Sequence, residues 1–116
     1  MTTATVFQWD NLPWRLEAKG HAGYAEEGED IVCAGISVLM QTAVMALEDR
    51  DIPVFSQIKQ KKGDVHMVVA LPEGLSSDQQ HDGQIILRAM QVGLQAIQEQ
   101  YPEFLRIIHE HRRWKQ

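Results

Sequence analysis

Polar and apolar positions follow a two-residue period in some stretches and a helical period in others, and the switches between them mark the elements. Residues Thr3 to Trp9 are rich in β-formers, and Asp10-Asn11-Leu12-Pro13 carries turn residues, which predicts a strand and a hairpin turn. Trp14, Leu16 and Ala18 then alternate with Arg15, Glu17 and Lys19, the period of a strand with one buried face, ending at Gly20. Gly20 to Asp30 holds three glycines and four carboxylates and reads as an exposed loop. Ile31 to Leu47 has no charged residue and no proline, and its apolar side chains point nearly all round, as in a helix buried on most sides. Val54 to Lys61 and Val65 to Leu71, joined through Lys62-Gly63-Asp64, predict a second hairpin. Asp78 to Gln100 predicts an amphipathic helix, with Ile86, Met90, Gly93 and Ile97 on the sheet side and Gln84, Arg88, Gln91, Gln95 and Gln98 opposite. Pro102 stops it, and Phe104 to Ile108 predicts a short last strand.

The order ββαββα(β) implies an α+β fold in which two helices cover one face of a small, largely antiparallel sheet. At 116 residues, one domain over the whole chain is expected. The first helix carries more apolar surface than such a sheet can cover, so a homodimer that buries the excess is expected.

Charge and cysteine content narrow the function. A net charge of −5 argues against direct nucleic-acid binding and favours a cationic partner. The N-terminus lacks a basic stretch followed by an apolar one, and no later run is taken as reaching spanning length, so a cytoplasmic protein without membrane contact is expected. The single cysteine has no partner for an internal disulfide, which suits a reducing compartment.

That cysteine, Cys33, falls at the expected helix start, and His21 lies across the acidic loop from it. Unbonded amides and the positive end of the helix dipole would stabilise a thiolate there, and His21 would act as base and then acid. The same amides would hold an oxyanion. The bland readings are a buried small hydrophobe for Cys33 and a loop histidine for His21. Asp30 reads as the N-cap that fixes the helix start, with orientation of His21 as a second role. Ser37, four residues on, shares the helical face of Cys33 or bonds back to its own helix. Gly20 would let the strand end turn tightly, and Gly23 and Gly28 would hinge the loop over a bound peptide. His109-Glu110-His111 lacks a placed third ligand, so no metal and no cofactor is expected. Phe7, Trp9 and Trp14 read as core or dimer interface, and Arg112 to Lys115 as a frayed basic end.

The segment Gly20-His21-Ala22-Gly23-Tyr24-Ala25-Glu26-Glu27-Gly28-Glu29-Asp30-Ile31-Val32-Cys33-Ala34 resembles the GHAxYAxxGxDIVCAAVS signature of the ribosomal-processing cysteine protease Prp family. Every fixed position through Ala34 matches; Gly35-Ile36 then replaces Ala-Val, and Ser37 is retained. The resemblance implies a dimeric α+β fold, a dyad of Cys33 and His21, and removal of the N-terminal extension of a large-subunit ribosomal protein, with cleavage after an aromatic residue ahead of a basic region. Glu26, Glu27, Glu29 and Asp30 would then steer that basic tail. A ribosome-associated binding module without catalysis and a thiol redox switch are the alternatives.

Overall fold

Asp10 and Asn11 take left-handed backbone angles, φ 53° and 65°, and so close a two-residue hairpin between β1 (Thr2–Trp9) and β2 (Leu12–His21). Short polar side chains tolerate that conformation, so Leu12 and Pro13 belong to the strand rather than to the turn. The computed structural model describes residues 1–21, 27–61 and 64–114. After β2 come α1 (Glu27–Asp49), β3 (Phe55–Lys61), β4 (Asp64–Ala70), α2 (Ser77–Gln100) and β5 (Leu105–His111).

The five strands form one sheet in the order β3-β4-β2-β1-β5. Pairing is antiparallel except between β1 and β5, which run parallel from Thr2↔Leu105 to Gln8↔His111. The fold is the expected α+β arrangement, with the last strand longer than the sequence pattern suggests. β5 reads poorly in sequence because it is an edge strand: Leu105 is buried, while Arg106, Ile108, His109 and His111 are exposed.

One face of the sheet is apolar. Ala4 and Val6 of β1, Leu16 and Ala18 of β2 and Val65, Met67 and Val69 of β4 occupy matched register positions and are all buried. Both helices lie on this face: α1 packs on β4 and β3, α2 on β2 and β5, and each on the other. Fully buried Leu16, Ile36, Met40, Leu47, Leu87 and Leu94 meet in this layer, each worth roughly 1.5–3 kcal/mol of apolar burial. The helices run antiparallel. A Cβ on Gly93 of α2 would lie 2.7 Å from Leu39 of α1, and one on Gly35 of α1 would lie 3.1 Å from Ile97 of α2, so two glycines set the helix separation.

Caps explain the helix ends. Ser76 accepts from the amide of Gln79 and the Gln79 side chain accepts from the Ser76 amide, a reciprocal capping box. At the end of α1, Asp51 at φ 56° lets the Ile52 and Asp51 amides donate to Leu47 and Glu48 carbonyls, a Schellman closure that buries Ile52.

The sequence pattern needs four corrections. The buried face of α2 is Gly83, Gln84, Leu87, Gln91 and Leu94, so two glutamines assigned to the outer stripe point inward. Gln84 ties the helix to a strand by donating to the Leu12 carbonyl, as Gln98 does by accepting from the Ile107 amide at 2.8 Å, whereas the Gln91 Oε1 is buried without a hydrogen-bond partner among the described residues. The first helix is not buried on most sides, because Ile31, Val38 and Met45, spaced seven apart, are 51, 63 and 69 % exposed. The stretch Asp30–Asp49 is, moreover, long and apolar enough to cross a membrane, contrary to the expectation that no run reaches that length. Its inner side, with Val32, Ile36, Met40, Ala43 and Leu47, is nonetheless part of the core. Finally, the basic end is docked, not frayed, as far as Trp114: the Arg112 amide donates to the Gln8 carbonyl, and Trp114 is buried with its ring stacked on Trp14.

Among the described residues, the opposite face of the sheet carries no helix and is charged. Glu17 sits at its centre, bonded to Arg15 at 3.1 Å and Lys19 at 2.9 Å, with His66 Nε2 at 3.7 Å. Burial alone would raise the Glu17 pKa, but the hydrogen bonds and charges of Lys19 and Arg15 outweigh it and hold the pKa below the ordinary 4.5. A depressed carboxylate stabilises the fold above its unfolded pKa and loses that contribution as pH falls through the folded value. Urea melts of wild type and Glu17→Gln are therefore expected to converge as pH drops below about 4, with the wild type more stable at pH 7; a constant gap between the two would refute this.

Candidate active site

The site is built where β1, β2 and α1 meet. Thr2, the first residue of β1, faces inward with Ala4 and Val6 and is 1 % exposed. Its Oγ1 lies 3.9 Å from Cys33 Sγ on α1, a buried hydroxyl–thiol contact. Thr2 is also the register partner of Gly20, and the next residue of β2 is His21. The cysteine helix and the strand that ends in histidine are thus joined through one threonine.

Gly20 is a glycine for want of space. It lies inside a strand, not at a turn, and its φ is not positive. A Cβ there would lie 2.6 Å from Thr2 Oγ1 and 3.2 Å from Thr2 Cα. The expected turn role of Gly20 therefore gives way to a close-approach role, with the Thr2 side chain filling the room a Cβ would take.

Cys33 is 7 % exposed and belongs to the core cluster. It lies in the second turn of α1, because the helix begins at Glu27 rather than near Ile31. Its own amide is consequently past the four unbonded ones, which belong to Glu27 to Asp30. Helical side chains lean toward the N-terminus, so the thiol still tilts back toward that turn. Asp30 is an exposed residue within the helix and not its N-cap. Gly28 likewise falls in α1, not in the loop, while Gly23 and Glu26 lie outside the described residues. Ser37 Oγ accepts from Gln41 Nε2 at 2.8 Å, one turn beyond Cys33, which ties it to its own helix. His21 closes β2 opposite Asp64 of β4, and the pairing of its side chain with Cys33 lies outside the described residues.

Thr2 is the residue that sequence reasoning missed. The signal was there: a hydroxyl at the inward-facing parity of a strand whose other inward residues are apolar. Of the remaining candidates, His111 packs edge-on against Trp9, with ring centroids 5.7 Å apart. Among the described residues, no three His, Cys, Asp or Glu side chains converge as a metal site would require.

A single cysteine carried on a helix beside the end of a histidine-bearing strand, in a small α+β fold, supplies the two residue types that a thiol-dependent enzyme class uses. Comparison with known proteins makes the assignment specific. The cysteine protease Prp family model matches residues 1–106, and the chain belongs to that family. It is 30 % identical over 93 residues to the ribosomal processing cysteine protease Prp of Bacillus subtilis, covering 79 % of this chain and 81 % of the relative. The Staphylococcus aureus protein of the same name is 36 % identical over 94 residues, covering 76 % and 78 %.

Solved structures agree. SMU.848 from Streptococcus mutans superposes with a TM-score of 0.80 at 30 % identity, over 97 % of this chain and 96 % of that one. The essential ribosomal processing protease Prp from S. aureus in complex with a substrate peptide gives 0.71 at 29 % identity, over 95 % and 100 %. The same S. aureus protease with a covalently linked product peptide gives 0.69 at 30 % identity, with the same coverage.

The contact of Gly20 with Thr2 makes a cycle of variants informative. Gly20→Ala is expected to cost about 1–3 kcal/mol in urea unfolding through overpacking, and adding Thr2→Ala to recover part of that loss. Strict additivity of the two substitutions would show that they do not share this space.

Proposed function

We propose that this protein is a cysteine endopeptidase that removes the N-terminal extension of a large-subunit ribosomal protein and so supports ribosome assembly, with Cys33 as nucleophile and His21 as its base. The observation that carries the reading is the family membership of a chain whose one cysteine lies at the signature position, Cys33. The S. aureus relative, crystallised with a substrate peptide and with a covalently linked product peptide, supports it further. A covalent product is what nucleophilic catalysis by a thiol leaves behind.

In the proposed reaction the Cys33 thiolate attacks the scissile carbonyl, and unbonded amides of the first turn of α1 receive the oxyanion. His21 protonates the leaving amine, and water then releases the acyl group. Thr2 fixes the rotamer of the thiol from behind. No cofactor enters the scheme. The acidic residues around the helix start, Glu26, Glu27, Glu29 and Asp30, draw a basic ribosomal tail toward the thiol. A protein of this role works in the cytoplasm, in keeping with a chain whose lone cysteine has no internal disulfide to form.

The working unit in this reading is a homodimer. Ile31, Val38 and Met45 on α1 and Ile85 and Val92 on α2 are all about half exposed or more, and the two stripes supply apolar surface of the kind that stable dimers bury. Light scattering at micromolar concentration is expected to give a dimer, and Val38→Glu with Met45→Glu a folded monomer. A monomeric wild type would remove this part of the proposal.

Incubation with an extended ribosomal protein is expected to shorten it at its N-terminus by mass spectrometry, with the product lost to below about a thousandth of the wild-type rate in Cys33→Ala and in His21→Ala. Cleavage that persists in Cys33→Ala would end the proposal. Unchanged substrate mass with the wild type, together with tight binding of the substrate, would favour a binding module instead.

A further inference from the structure

The face without helices carries Arg15, Lys19, Lys59 and Arg106 beside the carboxylates Glu17 and Glu110, so its local balance differs from the acidic balance of the whole chain. Lys59 of β3, His66 of β4, Lys19 of β2, Thr3 of β1 and Arg106 of β5 are successive register partners across all five strands, on the face without helices. With strands about 4.8 Å apart, this row spans roughly 19 Å, and four of its five positions are basic. Lys19 is held by Glu17, and Arg112 by Glu110. Among the described residues no carboxylate holds Lys59, Arg106 or Arg113, all of them exposed.

An exposed aromatic ring, Phe55, lies on the same face further along the strands, beside the buried rings of Phe7 and Trp114. Phe55, Ala70, Arg15 and Phe7 form a parallel row, with the guanidiniums of Arg15 and Arg112 at 5.4 and 4.9 Å from the Phe7 ring centroid. A cleft of about 390 Å³ opens there between Trp14, Arg15, Phe55, Glu73, Arg113 and Trp114. Phe55 is 53 % exposed, a large apolar ring left in water on an edge strand.

We propose that this face binds single-stranded nucleic acid, with phosphates along the Lys59–Lys19–Arg106 row and a base against Phe55 in the tryptophan-lined cleft. Cations that track a backbone, with aromatic rings and arginine planes offered to bases, are the two components of single-strand binding surfaces. An acidic peptide would satisfy the cations but leave the cleft unused. A second copy of the chain would set like charges against each other if it docked on this face. The acidic whole-chain balance excludes none of this, since a polyanion meets the local field within a Debye length of about 10 Å.

Fluorescence anisotropy with a labelled mixed-sequence oligoribonucleotide of about twelve residues tests the proposal at about 50 mM salt. Wild type is expected to bind. The Lys59→Glu, Arg106→Glu double variant is expected to bind at least about tenfold more weakly, with a log K against log salt slope shallower by about 1.4, for two phosphate contacts at roughly 0.7 each. Phe55→Ala is expected to weaken binding several-fold at unchanged slope. All three side chains are exposed, and thermal melts that match wild type keep the comparison clean. The proposal is overturned by absence of oligonucleotide binding, by equal binding in the double variant, by equal competition from polyglutamate, or by a change in oligomeric mass in the double variant.

Discussion

Thr2 stands between the two halves of the molecule. Its backbone pairs with β2 at Gly20, its amide donates to the Phe104 carbonyl ahead of β5, and its hydroxyl meets the thiol of α1. One buried residue at the chain's beginning therefore sets how closely the cysteine helix approaches the strand that ends in His21. The geometry tolerates nothing larger than hydrogen at Gly20, because the space is already filled. Buried polar atoms in such a place hold position because each alternative rotamer forfeits a contact that water cannot replace.

From that contact the layers follow. The apolar face of the sheet takes both helices, and two helical glycines let them approach until Leu39 and Ile97 fill the gaps. The opposite face is left with charges and aromatic rings, which pack against one another in place of a second helix layer. Trp14 is central there: it stacks on Trp114, tilts against Phe7 and donates its indole N–H to the Arg112 carbonyl at 3.0 Å. The docked tail thereby closes the end of the sheet, and a basic segment that reads in isolation as loose becomes part of a surface.

Element types were legible because period two and helical period are local properties, and the β2, β4 and α2 patterns are clean. The phase of α2 was not. Gln84 looks like a solvent residue until the strand carbonyl it reaches is in place, and only the tertiary structure supplies that carbonyl; Gln91 is buried on the same helical face. The start of α1 was misplaced for a related reason, since glycine and acidic residues between 27 and 30 match a loop in composition yet continue the helix. That shift moves Cys33 from the first turn to the second and takes the capping role from Asp30.

By itself the sequence determined the fold class, the order of elements and the family, because the Gly20 to Ala34 signature joins specific residue types at fixed spacing and needs no coordinates to read. It also named Cys33 and His21. The tertiary structure alone decided that β5 joins β1 in parallel, that Thr2 backs the thiol, that Gly20 answers to a neighbour and not to a turn, and that basic residues from four strands fall into one row. Each of these is a contact between residues distant in the chain, and local pattern carries no information about which distant residue will be the neighbour.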